Sequence, residues 1–65
     1  MISIETRQKW MKRIGYCQDH YEHMTDWEMG FIDSVDEQMS RGKILSGKQS
    51  RVLGRIFHRI EEEVG

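Results

Sequence analysis

The chain contains no proline, no alanine and no asparagine, only two leucines, and a single cysteine in 65 residues. One cysteine, Cys17, cannot form an intrachain disulfide, which excludes a stapled secreted scaffold. No apolar run approaches the roughly 20 residues that span a bilayer. The opening M-I-S-I-E-T-R lacks the apolar centre of a secretory leader, so a soluble, cytoplasmic protein away from membranes is expected. Disorder is equally disfavoured, because 37% hydrophobic residues with a formal net charge of −1 is a globular balance. No repeat, linker or low-complexity segment divides the chain, and 65 residues make one domain. A chain of this size buries only about 60% of its unfolded surface. Its core is therefore thin, and completion by a partner or by a second copy in a homodimer is an open expectation. A large substrate cleft is excluded.

Hydrophobic periodicity predicts an all-α, three-helix arrangement. The first helix is expected over about 4–23, with Ser3 as N-cap and Ile2 outside it. Trp10, Ile14, Cys17, Tyr21 and Met24 advance by steps of 4, 3, 4 and 3, one face of a helix. Gly15 within it marks either a close helix contact or a break. The second helix, about 26–40, opens on T-D-W-E, a capping box with Thr25 at N-cap and Glu28 at N3, flanked by Met24 and Met29 as a hydrophobic staple. Its apolar face reads Trp27, Phe31, Ile32, Val35 and Met39, and Gly42 closes it. The third helix, about 47–63, repeats the device with Ser46 and Gln49. Val52, Leu53, Ile56, Phe57, Ile60 and Val64 form its apolar face. Glu61, Glu62 and Glu63 oppose the helix dipole at its end. Ile44 and Leu45 are expected to tuck beneath the connecting loop. Whether the first helix packs on its own hairpin or supports dimerisation is left open by the pattern.

Near-neutral net charge conceals segregation along the chain. Residues 1–18 carry Arg7, Lys9, Lys12 and Arg13 against Glu5 alone. Residues 19–40 carry Asp19, Glu22, Asp26, Glu28, Asp33, Asp36 and Glu37 with no basic residue. Residues 41–60 carry Arg41, Lys43, Lys48, Arg51, Arg55 and Arg59 with no acidic one. Lys48, Arg51, Arg55 and Arg59 share a narrow helical sector about 16 Å long. Aligned like charges repel by a few tenths of a kcal/mol per pair, so something negative is expected opposite them. The acidic second helix, through Asp33, Asp36 and Glu37, is one answer, within the fold or in a neighbouring chain. A phosphate backbone, DNA in the first instance, is the other. A solvated face is the plain alternative to both. The comparison with helix-turn-helix is weak, because the connection R-G-K-I-L-S is longer than the usual turn.

Metal and catalytic chemistry find little footing. Cys17, His20 and His23 lie at helical spacing, but Cys17 and His23 point about 120° apart, and no second ligand pair follows. Cys17 continues the apolar stripe and reads as a buried thiol. A Cys17–histidine nucleophile pair would lack an oxyanion hole and a third orienting group. G-K-Q-S at 47–50 lacks the glycine loop and strand of a phosphate-binding motif. The chain is therefore expected to be non-enzymatic and free of metals and cofactors. Two tryptophans and five methionines suit either core filling or an adaptable interface. Trp10 and Met11 are the candidate anchors, and Trp10 lies between Lys9 and Lys12.

The stretch from Thr25 to Ile60 resembles a short helical module recurring in small or modular proteins of bacteriophages and bacteria. Trp27-Glu28, Phe31-Ile32, Leu45-Ser46, Lys48-Gln49, Val52-Leu53 and Ile56 carry the resemblance. It implies an accessory of DNA metabolism in a bacterial host cell, without catalytic residues. The leading expectation is thus a nucleic-acid-associated protein using Lys43, Lys48, Arg51, Arg55 and Arg59, extended by Lys9, Lys12, Arg13 and Arg7. The alternative is a protein-interaction module or host-directed inhibitor, acting on a host or phage protein through Trp10, Met11, Asp33, Asp36 and Glu37.

Overall fold

A computed structural model describes residues 3–65. Three α-helices follow in order, α1 (Ile4–Gln18), α2 (Asp26–Ser40) and α3 (Gly47–Val64), with a single 3-10 turn at Tyr21–His23 between the first two. The described residues contain no strand.

Local signals set most of the boundaries. Ser3 caps α1 by accepting from the Thr6 backbone N–H at 3.1 Å. Both capping boxes are formed, Thr25 with Glu28 at α2 and Ser46 with Gln49 at α3, each satisfying two otherwise orphaned N–H groups. At the end of α2, Gly42 adopts φ 80. Its N–H donates to the Met39 carbonyl, and Lys43 N–H donates to that of Gln38. This is the pair of bonds of a Schellman ending, which favours glycine because a Cβ is strained at that φ. Ile2 and Met1 lie outside the described residues.

The first helix is shorter than its apolar spacing suggests. It ends at Gln18, and His20 departs to φ −130, ψ 39. The His20 Nδ1 lies 2.8 Å from the Tyr16 carbonyl, so the imidazole satisfies a carbonyl of the last turn where a continuing helix would have placed a backbone N–H. Tyr21 and Met24 still pack against the core, from the 3-10 turn and the cap. The Tyr21 hydroxyl donates to Asp33 at 2.6 Å. That bond holds the phenol proton and raises its pKa to about 12.

Ten of the described residues make the core: Trp10, Ile14 and Cys17 from α1, Ile32, Val35 and Met39 from α2, Leu45 from the loop, and Leu53, Ile56 and Ile60 from α3. The first helix therefore packs on its own hairpin. Tyr16 meets Phe57 edge-on, and His23 reaches Glu63, so α1 and α3 run in the same direction with α2 opposed. Contacts of α1 with α3 and with α2 are more extensive than those between α2 and α3. The hairpin is instead tied by polar groups. Gln38 and Gln49 exchange side-chain amide bonds at 3.2 and 3.1 Å, and Gln38 Nε2 also donates to the Ile44 carbonyl at 2.8 Å. Of the two loop residues expected inside, Leu45 is buried and Ile44 is exposed. Adjacent residues of an extended loop point to opposite sides, so only one of them reaches the core.

Candidate nucleic-acid interface

Two helices supply the cations. On α3, Lys48, Arg51 and Arg55 are exposed. On α1, Lys9 and Lys12 are exposed and Arg13 is half-buried. Arg13 leans across to α3, its guanidinium 5.2 Å from the Phe57 ring centroid. An ideal Cβ on Gly54 would stand 2.9 Å from Arg13 Nη1, so the glycine leaves the space in which this side chain lies. Arg13 thereby bridges α1 and α3 at Gly54 and Phe57, to one side of the α3 stripe. Among the described residues no carboxylate lies within ion-pair distance of Lys9, Lys12, Arg13, Lys43, Lys48, Arg51 or Arg55. Lys43 is exposed in the loop, beside the end of α2, where it lines a shallow groove with Ser34, Glu37, Gln38 and Arg41. The first turn of α3 contains no acidic residue, so the positive end of its dipole adds to the same field.

Arg59 does not belong with them. Its guanidinium donates to Glu28 at 2.6 Å and to Glu63 at 2.8 Å. The Glu28 side chain is only 15% exposed. Burial alone would raise its carboxyl pKa, but the Thr25 backbone N–H and the Arg59 guanidinium outweigh that and hold it below the ordinary glutamate range. The hydrogen bond to Glu28 in turn raises the Arg59 pKa. Arg59 is thus a structural cation, fixed to the cap of α2, and it is removed from the candidate phosphate contacts. Sequence spacing placed it in the stripe correctly, but the stripe's last turn faces α2.

The acidic helix does not otherwise answer the basic one. Asp33 accepts from Tyr21, and Glu37 pairs with Arg41 at 2.7 Å within its own helix. Asp36 lines a shallow groove of about 180 Å³ between α1 and α2, with Arg7, Met11, Gly15 and Met39 among its walls. Arg7 donates to the Met39 carbonyl at 3.3 Å.

The candidate anchors are also re-sorted. Trp10 is 8% exposed and belongs to the core, so it cannot act as a surface anchor, whereas Met11 is 53% exposed. Trp27, assigned by its spacing to the apolar face of α2, is 66% exposed and stacks on Phe31 with centroids 5.6 Å apart. The helical wheel holds the signal that simple spacing missed. Trp27 lies more than 100° around α2 from the direction shared by Ile32, Val35 and Met39.

Cys17 is fully buried, and desolvation, assisted by the charge of Glu28, raises its thiol pKa to about 11. That environment suppresses the thiolate needed for nucleophilic or metal chemistry. Among the described residues no group of three or more His, Cys, Asp or Glu is placed to hold a metal ion. No described helix is long and apolar enough to cross a membrane.

The residues that carry the resemblance fall mostly at caps and core positions, which any helical hairpin of this shape requires: Glu28, Ser46 and Gln49 cap helices, while Ile32, Leu45, Leu53 and Ile56 are buried. Comparison with known proteins finds no matching family model, no similar curated protein and no similar solved structure.

Proposed function

We propose that this chain is a non-enzymatic accessory protein that binds the phosphate backbone of nucleic acid. The observation that carries the reading is the set of six cations on α1 and α3, Lys9, Lys12, Arg13, Lys48, Arg51 and Arg55, none paired with a carboxylate among the described residues. Aligning such charges costs free energy in the isolated fold, and a polyanion returns it by releasing condensed counterions. Lys43 extends the set at the loop. The acidic face of α2 points the molecule by repelling the same polyanion, so the protein docks by one side only.

Binding to labelled duplex and single strand, followed against salt on protein of known solution mass, tests the proposal. Engagement of all six cations corresponds to a slope of log K against log salt of about −5 on duplex. The double reversal Arg51→Glu and Arg55→Glu is expected to abolish binding while leaving the circular dichroism spectrum unchanged. Retained binding in that variant, or no binding at low salt, overturns the proposal.

The groove between α1 and α2 favours a second reading, a protein-interaction module or inhibitor. Its exposed Met11 beside Asp36 offers an adaptable apolar edge next to a negative charge. Loss of a captured partner on Met11→Ala or Asp36→Lys would support that reading, and unchanged capture would exclude the surface.

A further inference from the structure

Trp27 is an exposed aromatic ring that is nonetheless held in place. One side of the indole rests on Phe31 at an interplanar angle of 11°, and Phe31 is itself packed against the core. The indole is 66% exposed beyond that contact. A ring fixed from below and bare above is a platform for another flat π-system.

Its position follows from two contacts across the hairpin. Glu28 meets Arg59, and Gln38 meets Gln49. Ten residues along α2 thus match ten along α3 in the opposite direction, which sets Trp27 level with Ile60 and Phe31 level with Ile56. The ring pair runs beside the turn of α3 that carries Arg55 and Arg59. From the loop end, Lys48, Arg51 and Arg55 lead toward it over about 11 Å of helix. The seam between α2 and α3 is also the least extensively packed of the three. A polyanion lying along the cations of α3 from the loop end reaches the level of Phe31 first, and the open face of the indole, on the side away from Phe31, lies one helical turn further on.

A duplex has no free base face to offer there, because its bases stack on one another. We infer that the interface takes single-stranded nucleic acid, with phosphates on Lys48, Arg51 and Arg55 and an unpaired base stacked on Trp27. This rests on the nucleic-acid reading above and adds the strand's chemistry to it. Asp26, about 100° further round α2 than Trp27, closes the outer side to phosphate, so the strand leaves toward α3. Base–aromatic stacking tolerates any base, so little sequence preference follows.

The test follows tryptophan fluorescence of the intact protein during titration with an oligothymidylate, an abasic strand of equal length and a blunt duplex. Trp10 is buried, so quenching reports Trp27. The oligothymidylate is expected to quench and to bind more tightly than the abasic strand. Trp27→Ala is expected to weaken oligothymidylate binding about 10- to 100-fold, with the salt slope unchanged and abasic binding unaffected. Equal binding of oligothymidylate and abasic strand by the unaltered protein overturns the inference without relying on a variant, and leaves the phosphate reading standing. Tighter binding of duplex than of single strand does the same. Absence of binding to all three at low salt overturns both.

Discussion

Arg55 and Arg59 stand one helical turn apart on α3, in one stripe and with one side-chain chemistry, yet they live in different electrostatic settings. Arg55 is exposed with no carboxylate in reach among the described residues, whereas Arg59 is clamped between Glu28 and Glu63. The loop half of α3 leaves its charge exposed, and the terminal half spends its charge on the fold. What separates them is the depth of Glu28, whose carboxylate needs a counter-charge because it is largely removed from water. A charge pattern in sequence thus marks where cations are, and the neighbouring helix decides which are available.

Substitutions at the terminal half give the strongest way to break the contrast. Arg59→Met leaves the Glu28 carboxylate without its partner and is expected to cost about 1–2 kcal/mol in urea unfolding. The salt slope for nucleic acid should not change, while a reduced slope would return Arg59 to the ligand side. Glu28→Gln is gentler, because glutamine at N3 preserves the capping box, and a loss of about 1 kcal/mol at neutral pH is expected. Its pH dependence has a definite sign. The folded carboxyl titrates below its unfolded value, so its contribution is complete above the ordinary glutamate range. That contribution is lost as pH falls from about 4 through the depressed value. The stability gap between Glu28→Gln and the unaltered chain should therefore close in acid, and a gap that persists would show that the pair is not its source.

The smallest effect is expected at Gly54→Ala. The added Cβ displaces only the far end of Arg13. The helix gains about 1 kcal/mol of propensity, and the lost contact with Phe57 offsets about 0.5–1 kcal/mol of it. Stability should stay within about 0.5 kcal/mol on these figures. Arg13 would then join Arg55 as a fully solvated cation, visible as altered salt dependence of binding.

Legibility in the sequence tracked locality. Caps need only three or four neighbouring residues, so Ser3, Thr25 with Glu28, Ser46 with Gln49, and Gly42 are readable from the chain alone. The buried positions of α2 and α3 follow from period and are readable too, apart from Trp27, which sits at the edge of its stripe, and Val64, which is on the apolar side of α3 by spacing but exposed at the helix end, beyond the last buried residue Ile60. The end of α1 was not readable. No glycine or proline marks it, and Tyr21 and Met24 reach the core from a 3-10 turn at a spacing that a continuous helix would share. The fate of individual charges was hidden for a different reason. The partners Arg59 and Glu28 lie 31 residues apart, and no local pattern connects them. Trp10 and Trp27 divide in the same way, one interior and one exposed, according to packing and not composition.

The glutamine clasp between Gln38 and Gln49 bears on how the molecule behaves in varied buffers. Its reciprocal amide bonds, with the Ser46 cap and the Ile44 carbonyl attached, join the two hairpin helices at the loop without a formal charge. Mobile ions do not screen it, and no proton enters or leaves it across the working pH range. The loop end of the hairpin thus keeps its geometry while ionic strength is swept, so the backbone positions that carry Lys43, Lys48 and Arg51 keep their spacing, and a change of binding with salt reports screening of charge and not a rearranged hairpin.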